Sequence, residues 1–196
     1  MSSNTAYDYQ VLKLFDYTQT DFILGSLNGN QILSKLMDKI WVRSTSVEIS
    51  LEGITGVDAC FIRNSIASLS KMLLSQKGVV VSHVENKDVL DNLIYGFHAI
   101  NAPLLLKNND GSGEIYAKLP SGAKEILSYV YSQSNATTQK VVKQFDISAP
   151  NASAKLKKLY KEGYLLAEQQ DAPTGGIEYV YSPIFTCRSL TYPTHS

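Results

Sequence analysis

Chemistry that needs a nucleophile, a general base or a metal would start from Cys60, Cys187, His83, His98 and His195, the chain's only cysteines and histidines. Their spacing argues against it. The cysteines lie far apart with no C-x-x-C pair, so neither a zinc site nor a disulfide framework is indicated. His83 closes an apolar run and His98 falls late in a helical pattern; neither has an evident serine or cysteine partner. Cys60 stands at a helix start, where an exposed thiol would have a lowered pKa, but the role of a small buried apolar residue fits it better. The phosphate-cradling patterns G-x-x-x-x-G-K-[ST] and G-x-G-x-x-G are absent, as is the G-x-S-x-G elbow. Gly111-Ser-Gly113 and Gly175-Gly176 are too short to wrap a phosphate. The expectation is a protein that is not an enzyme and uses no cofactor or metal.

Binding chemistry is better represented. Over residues 149–162 the spacing predicts a helix with Ala152, Leu156 and Leu159 on one face and Lys155, Lys157, Lys158 and Lys161 around the rest. Pro150 suits its first turn and Gly163 its left-handed cap. Earlier, Asp58 precedes Ala59-Cys60-Phe61 at another helix start. Its plain reading is an N-cap that accepts from the next turn's N–H groups.

Composition bounds these readings. With 44% apolar residues the chain supports ordinary globular cores. Basic and acidic side chains number 18 each, so net charge carries no nucleic-acid signature. Residues 121–185 hold 7 basic and 6 acidic side chains, making them slightly positive. The polar, uncharged start is unlike a signal peptide, and no apolar run is long enough to span a bilayer. A soluble, cytoplasmic protein is expected, with no membrane partner.

The elements that would position these residues divide at Leu119-Pro120-Ser121-Gly122, where Pro and Gly punctuate the chain and Ser121 is placed to cap a helix. Before the break, residues 9–17 read as a first strand and 30–40 as a helix. Residues 46–51 alternate as a strand, 59–76 read as one helix, 78–83 as a buried strand and 87–100 as a third helix. Residues 103–106 and 113–118 form a hairpin across the turn-rich 108–113. This is an α/β layer structure. After the break come a helix over 121–131, a short helix over 139–145 capped by Thr137 or Thr138, and a tight turn with Ile147 plugging the core. The helix of 149–162 follows, capped by Ser148. Two strands then flank a tip at 171–176, and residues 186–196 read as a flexible tail.

Two family resemblances follow from these patterns. The run Val47-Glu-Ile-Ser-Leu-Glu-Gly-Ile-Thr-Gly-Val-Asp-Ala-Cys-Phe61, followed by a helix and then Gly78-Val-Val-Val, resembles the STAS domain of sulfate transporters and anti-sigma-factor antagonists. It is closest to a divergent branch with a bulky residue at Phe61. The resemblance covers residues 9–107 and implies a mixed sheet with helices over 1–119. It also implies a partner-docking site at Asp58, Ala59, Cys60 and Phe61. Phospho-regulated members carry Ser or Thr where this chain has Ala59, so control by phosphorylation there is not expected.

The run Ile147-Ser-Ala-Pro-Asn-Ala-Ser-Ala-Lys-Leu-Lys-Lys-Leu-Tyr-Lys-Glu-Gly-Tyr-Leu165 resembles the recognition helix and following strand of winged helix-turn-helix repressors of the MarR type. That resemblance spans residues 120–185. It implies that Pro150, Asn151, Ala154 and Lys155 face the DNA major groove, with Asn151 on an adenine edge. Lys155 and Lys158 would reach phosphate or guanine, and Thr137, Thr138 and Gln139 would meet the backbone. Two departures count: early arginines are missing from the recognition helix, and Glu168, Asp171 and Glu178 make the wing acidic. Expected together are a regulator that binds duplex DNA as a homodimer and senses or docks a partner through its first half. The alternative is a partner-switching adaptor in which both domains bind protein and no DNA is bound.

Overall fold

The computed structural model describes residues 8–172 and 175–193. The chain runs through β1 (Tyr9–Lys13), α1 (Leu14–Thr18), β2 (Phe22–Ile23), α2 (Ser26–Lys39), β3 (Ser46–Ser50), β4 (Gly56–Val57) and α3 (Ala59–Ile62). A π-helical segment (Arg63–Ala67), α4 (Ser68–Met72), β5 (Gly78–Ser82), α5 (Lys87–His98), β6 (Leu104–Lys107) and β7 (Gly113–Tyr116) follow. The rest is α6 (Ser121–Gln133), β8 (Ala136–Thr137), α7 (Thr138–Phe145), α8 (Ala149–Lys161), β9 (Leu165–Asp171), β10 (Ile177–Pro183) and β11 (Leu190–Thr191).

The fold is α/β. Six strands form a mixed sheet in the order β1-β3-β5-β6-β7-β11. The first four run parallel, β7 is antiparallel to β6, and β11 lies parallel to β7. A second, antiparallel sheet has the order β8-β10-β9, and β2 pairs with β4 in a third.

Alternation along the strands divides the large sheet between two cores. Val47, Ile49, Val79, Val81, Leu104 and Leu106 enter the first, against Ile32 and Leu36 of α2, Phe61 of α3, Ile66 of the π-helical segment and Leu93 and Phe97 of α5. Val80, Leu105 and Ile115 face the other way. They join Ile126, Leu127 and Val130 of α6, Leu156 and Leu159 of α8, and Tyr181, Ile184 and Phe185. Burial of both faces is why all five residues of β5, Gly-Val-Val-Val-Ser, are buried. It also means that the break at Pro120 divides the chain without dividing the core, because the second core takes side chains from both sides of it.

Other contacts bind the two parts. The Tyr160 hydroxyl donates to the Ser75 carbonyl at 2.7 Å. Gly163 takes φ +82° at the end of α8, so close to Pro103 and Leu74 that an added Cβ would lie 2.6 Å from the Leu74 side chain. Both the backbone conformation and the space require glycine there.

The structure corrects several expectations. The strand expected over 9–17 stops at Lys13, and Leu14, fully buried, starts a helical turn that closes at Gln19 with φ 56°. The helix expected over 59–76 is interrupted by the π-helical segment and ends at Met72. Ser121 and Ser148 make no side-chain capping bond; Pro120 occupies the cap position before α6. The described residues of the expected tail pack on the second core through Cys187, Leu190 and Tyr192. Phe185 is buried against Tyr131, Leu190 and Thr191 form β11, and the Tyr192 hydroxyl meets Ser128 Oγ and the Lys124 carbonyl, each at 2.9 Å. Residues 194–196, and residues 173 and 174 of the expected wing tip, lie outside the described residues.

Candidate functional site

The helix of lysines begins where the turn Asp146-Ile147-Ser148 redirects the chain. Asp146 takes φ 50°, Ile147 packs half-buried on the second core, and Pro150 fits the first turn of α8. Ala152, Leu156 and Leu159 are buried, so the opposite face of α8 is solvent-exposed. That face carries Pro150, Asn151, Ala154 and Lys158. Thr137 caps α7, its hydroxyl accepting from Lys140 N at 3.3 Å; Thr137 and Thr138 are half-buried and Gln139 exposed.

Lys155 does not join the exposed set. It is half-buried with its Nζ beside Gly122, where a Cβ would stand 3.1 Å away, so the ammonium turns back toward the start of α6. Lys158 stands 3.8 Å from Glu162, a loose pair that leaves it accessible. Exposed Lys140, Lys143, Lys157 and Lys161 add positive charge around these helices. The β9–β10 hairpin beside them exposes Glu168, Gln169, Gln170 and Asp171.

At the other candidate site, Asp58 caps α3, accepting from Phe61 N at 2.6 Å. It also accepts from Gly25 N at 3.0 Å, tying the start of α2 to that of α3. Ala59 and Cys60 are half-buried. Phe61 is fully buried, which corrects its expected place in a docking surface: its ring fills the first core. The exposed apolar side chains near this end are instead Phe22, Leu24 and Leu27.

Sequence reasoning missed a third site. The face of β3 that carries Ser46, Glu48 and Ser50 looks toward the second core, and Glu48 is only 3% exposed. Its carboxylate accepts from the Tyr9 hydroxyl at 2.6 Å, the Ser82 hydroxyl at 2.5 Å and Lys107 Nζ at 2.8 Å. Burial alone would push the Glu48 carboxyl up, but the bonds from Lys107, Ser82 and Tyr9 outweigh it and hold the group below the ordinary carboxylate value. Tyr9 moves the opposite way, raised by its burial and by donating to a carboxylate.

His83 extends the cluster, with Nδ1 3.0 Å from Ser82 Oγ and 3.1 Å from Ser50 Oγ. The Ser82 proton is committed to Glu48, so His83 Nδ1 is the donor toward Ser82. His83 has φ 56°, a strained conformation for a non-glycine residue. The arrangement fixes a buried negative charge, and its only cationic partner among the described residues, Lys107, is part-exposed.

Among the described residues no group of three or more His, Cys, Asp or Glu is placed to hold a metal ion, and no helix is long and apolar enough to cross a membrane. No model of a known protein family matches this chain, and no curated protein does.

Proposed function

We propose that residues 120–185 act as a winged helix-turn-helix and that the protein is a DNA-binding regulator, working as a cytoplasmic homodimer. The sheet in front of it acts as a STAS-like sensing or docking unit. The observation that carries this reading is the exposed N-terminal face of α8. Pro150, Asn151 and Ala154 stand clear of the core, with α7 packed across α8 and the β9–β10 hairpin beside it. The order α6-β8-α7-α8-β9-β10, with β10 between β8 and β9, supports it as well. In this reading Asn151 meets a base edge, and Thr137, Thr138 and Gln139 meet the DNA backbone. Lys158 keeps the phosphate role expected of it and Lys155, and Lys143, Lys157 and Lys161 join it in place of Lys155.

A second reading keeps one observation in its favour. The acidic hairpin is poorly matched to phosphates, and Phe22, Leu24 and Leu27 offer exposed apolar surface close to Asp58. An adaptor that docks proteins at both places would use them.

The experiment is a salt titration of duplex DNA binding by the full chain, followed by fluorescence anisotropy. Three to four lysine–phosphate contacts should give a log–log slope of about −3. Lys157→Ala and Lys161→Ala should each make that slope shallower by about 1. Absence of binding at low salt, or a slope indifferent to both changes, would reject the DNA reading and favour the adaptor.

A further inference from the structure

The polar half of the sheet face is roofed by the segment that follows β10, and between them lies a cavity of about 420 Å³. That is the size of a small-molecule site. Tyr9, Ser46 and Lys107 line its sheet side, while Tyr131, Leu166, Ile184 and Phe185 supply apolar walls.

Ser46 shows that the lining is incomplete. The residue is 1% exposed, and its hydroxyl has no hydrogen-bond partner among the described residues. A buried hydroxyl left unpaired is unfavourable, and a bound molecule with an acceptor atom would satisfy it. Lys107 is the only charged side chain in the lining among the described residues. One of its three N–H donors goes to Glu48. Glu48 already receives three hydrogen bonds, so it has little to offer a ligand. With the Tyr9 and Tyr131 hydroxyls donating to Glu48 and the Tyr164 carbonyl, the lining presents one ammonium and the hydroxyls of Ser46, Ser134 and Thr186, with no carboxylate among the described residues.

From this chemistry we infer that the cavity binds a small carboxylic acid with an apolar body. The carboxylate takes hydrogen bonds from Lys107 Nζ and Ser46 Oγ, and the body packs against Phe185, Tyr131 and Leu166. A cationic ligand would face Lys107 unpaired. A neutral alcohol of the same shape keeps the apolar contact but loses the charge-assisted bond. The inference does not depend on DNA binding.

The test uses the full chain and three probes that share one body: 3-phenylpropionate, 3-phenylpropanol and 3-phenylpropylamine. Calorimetry gives affinities and thermal melting gives the shift. The acid should bind and raise Tm, the alcohol should bind about tenfold more weakly, and the amine should not bind. Ser46→Ala removes a hydroxyl that has no partner among the described residues, so the unliganded protein should melt no lower than the parent. Its affinity for the acid should fall about five- to tenfold. Thr186→Trp, at the exposed rim, should abolish binding while leaving the circular dichroism spectrum unchanged. Equal binding of all three probes, full affinity in Ser46→Ala, or no binding of the acid at millimolar concentration would each overturn the assignment.

Discussion

Replacing Lys107 by methionine isolates the electrostatics of the buried cluster. The substitution keeps most of the aliphatic stem and removes the ammonium that stands 2.8 Å from Glu48. Removing one partner of a fully buried pair costs about 3–5 kcal/mol. The Lys107 side chain is 38% exposed, so solvent already screens part of the attraction. Glu48 also keeps Tyr9 and Ser82 as donors. The expected loss at pH 7 is therefore about 2 kcal/mol.

The pH dependence gives a sharper signature. In the parent the folded pKa of Glu48 is depressed, so its contribution is present above the unfolded value and is lost as pH falls through the folded value. Without Lys107 two of the influences that hold the carboxyl down are gone, so the folded pKa rises above the parent's. The variant's penalty then applies at neutral pH and is relieved as Glu48 takes a proton. The stability gap should narrow from pH 7 toward about pH 4, near the unperturbed glutamate value. Urea unfolding followed by circular dichroism at the two pH values measures it. In a Glu48→Gln background the same lysine change should cost less than about 0.5 kcal/mol, since no buried charge is left to strand. A pH-independent gap, or an undiminished cost when Glu48→Gln is already in place, would refute the argument.

Two further substitutions test the frame around the sites. Asp58→Ala removes the α3 cap and the bond that holds Gly25, and should lower stability by about 1–2 kcal/mol in denaturant titration; no loss would return Asp58 to a purely surface role. Tyr192→Phe deletes a hydroxyl that meets both Ser128 and the Lys124 carbonyl, and should cost about 1 kcal/mol by the same assay, whereas a flexible tail would give no change.

Strong periodicity made much of the architecture legible. Ser-Val-Glu-Ile-Ser at 46–50 alternates as a strand, the valines of β5 read as buried, and Ala152, Leu156 and Leu159 mark the inner face of α8. Residues 9–17 misled because Val11, Leu12, Leu14 and Phe15 satisfy either a strand or a turn of helix, and only packing of Leu14 chooses between them. The π-helical segment leaves the apolar spacing of 62, 66 and 69 intact, so nothing in the pattern reports it. Leu190-Thr191 is too short to show any period; its strand is defined by pairing with Gly113 and Glu114 of β7, far away in sequence. The buried cluster was half visible. Period two puts Ser46, Glu48 and Ser50 on one face, but a polar face normally means water. Only the chain returning over it through Ile184 and Phe185 turns that face into an interior.

That return also decides how the proposed activities would communicate. A ligand shifts an equilibrium only by the difference in its affinity for the two states. One that touched the sheet alone would bind equally well wherever α8 stood. The cavity places the nitrogen and hydroxyl donors of Lys107 and Ser46 on β6 and β3, and most of its apolar wall on α6, β9 and the segment after β10. A molecule held by both loses contacts whenever the C-terminal segment moves relative to the sheet. The binding energy of the proposed ligand would therefore be differential, and it would favour the arrangement in which Tyr160 and Gly163 anchor the end of α8 against Ser75 and Leu74. In the proposed reading, sensing would need no separate relay, because the sheet face that would hold the ligand is part of the same core that positions α8.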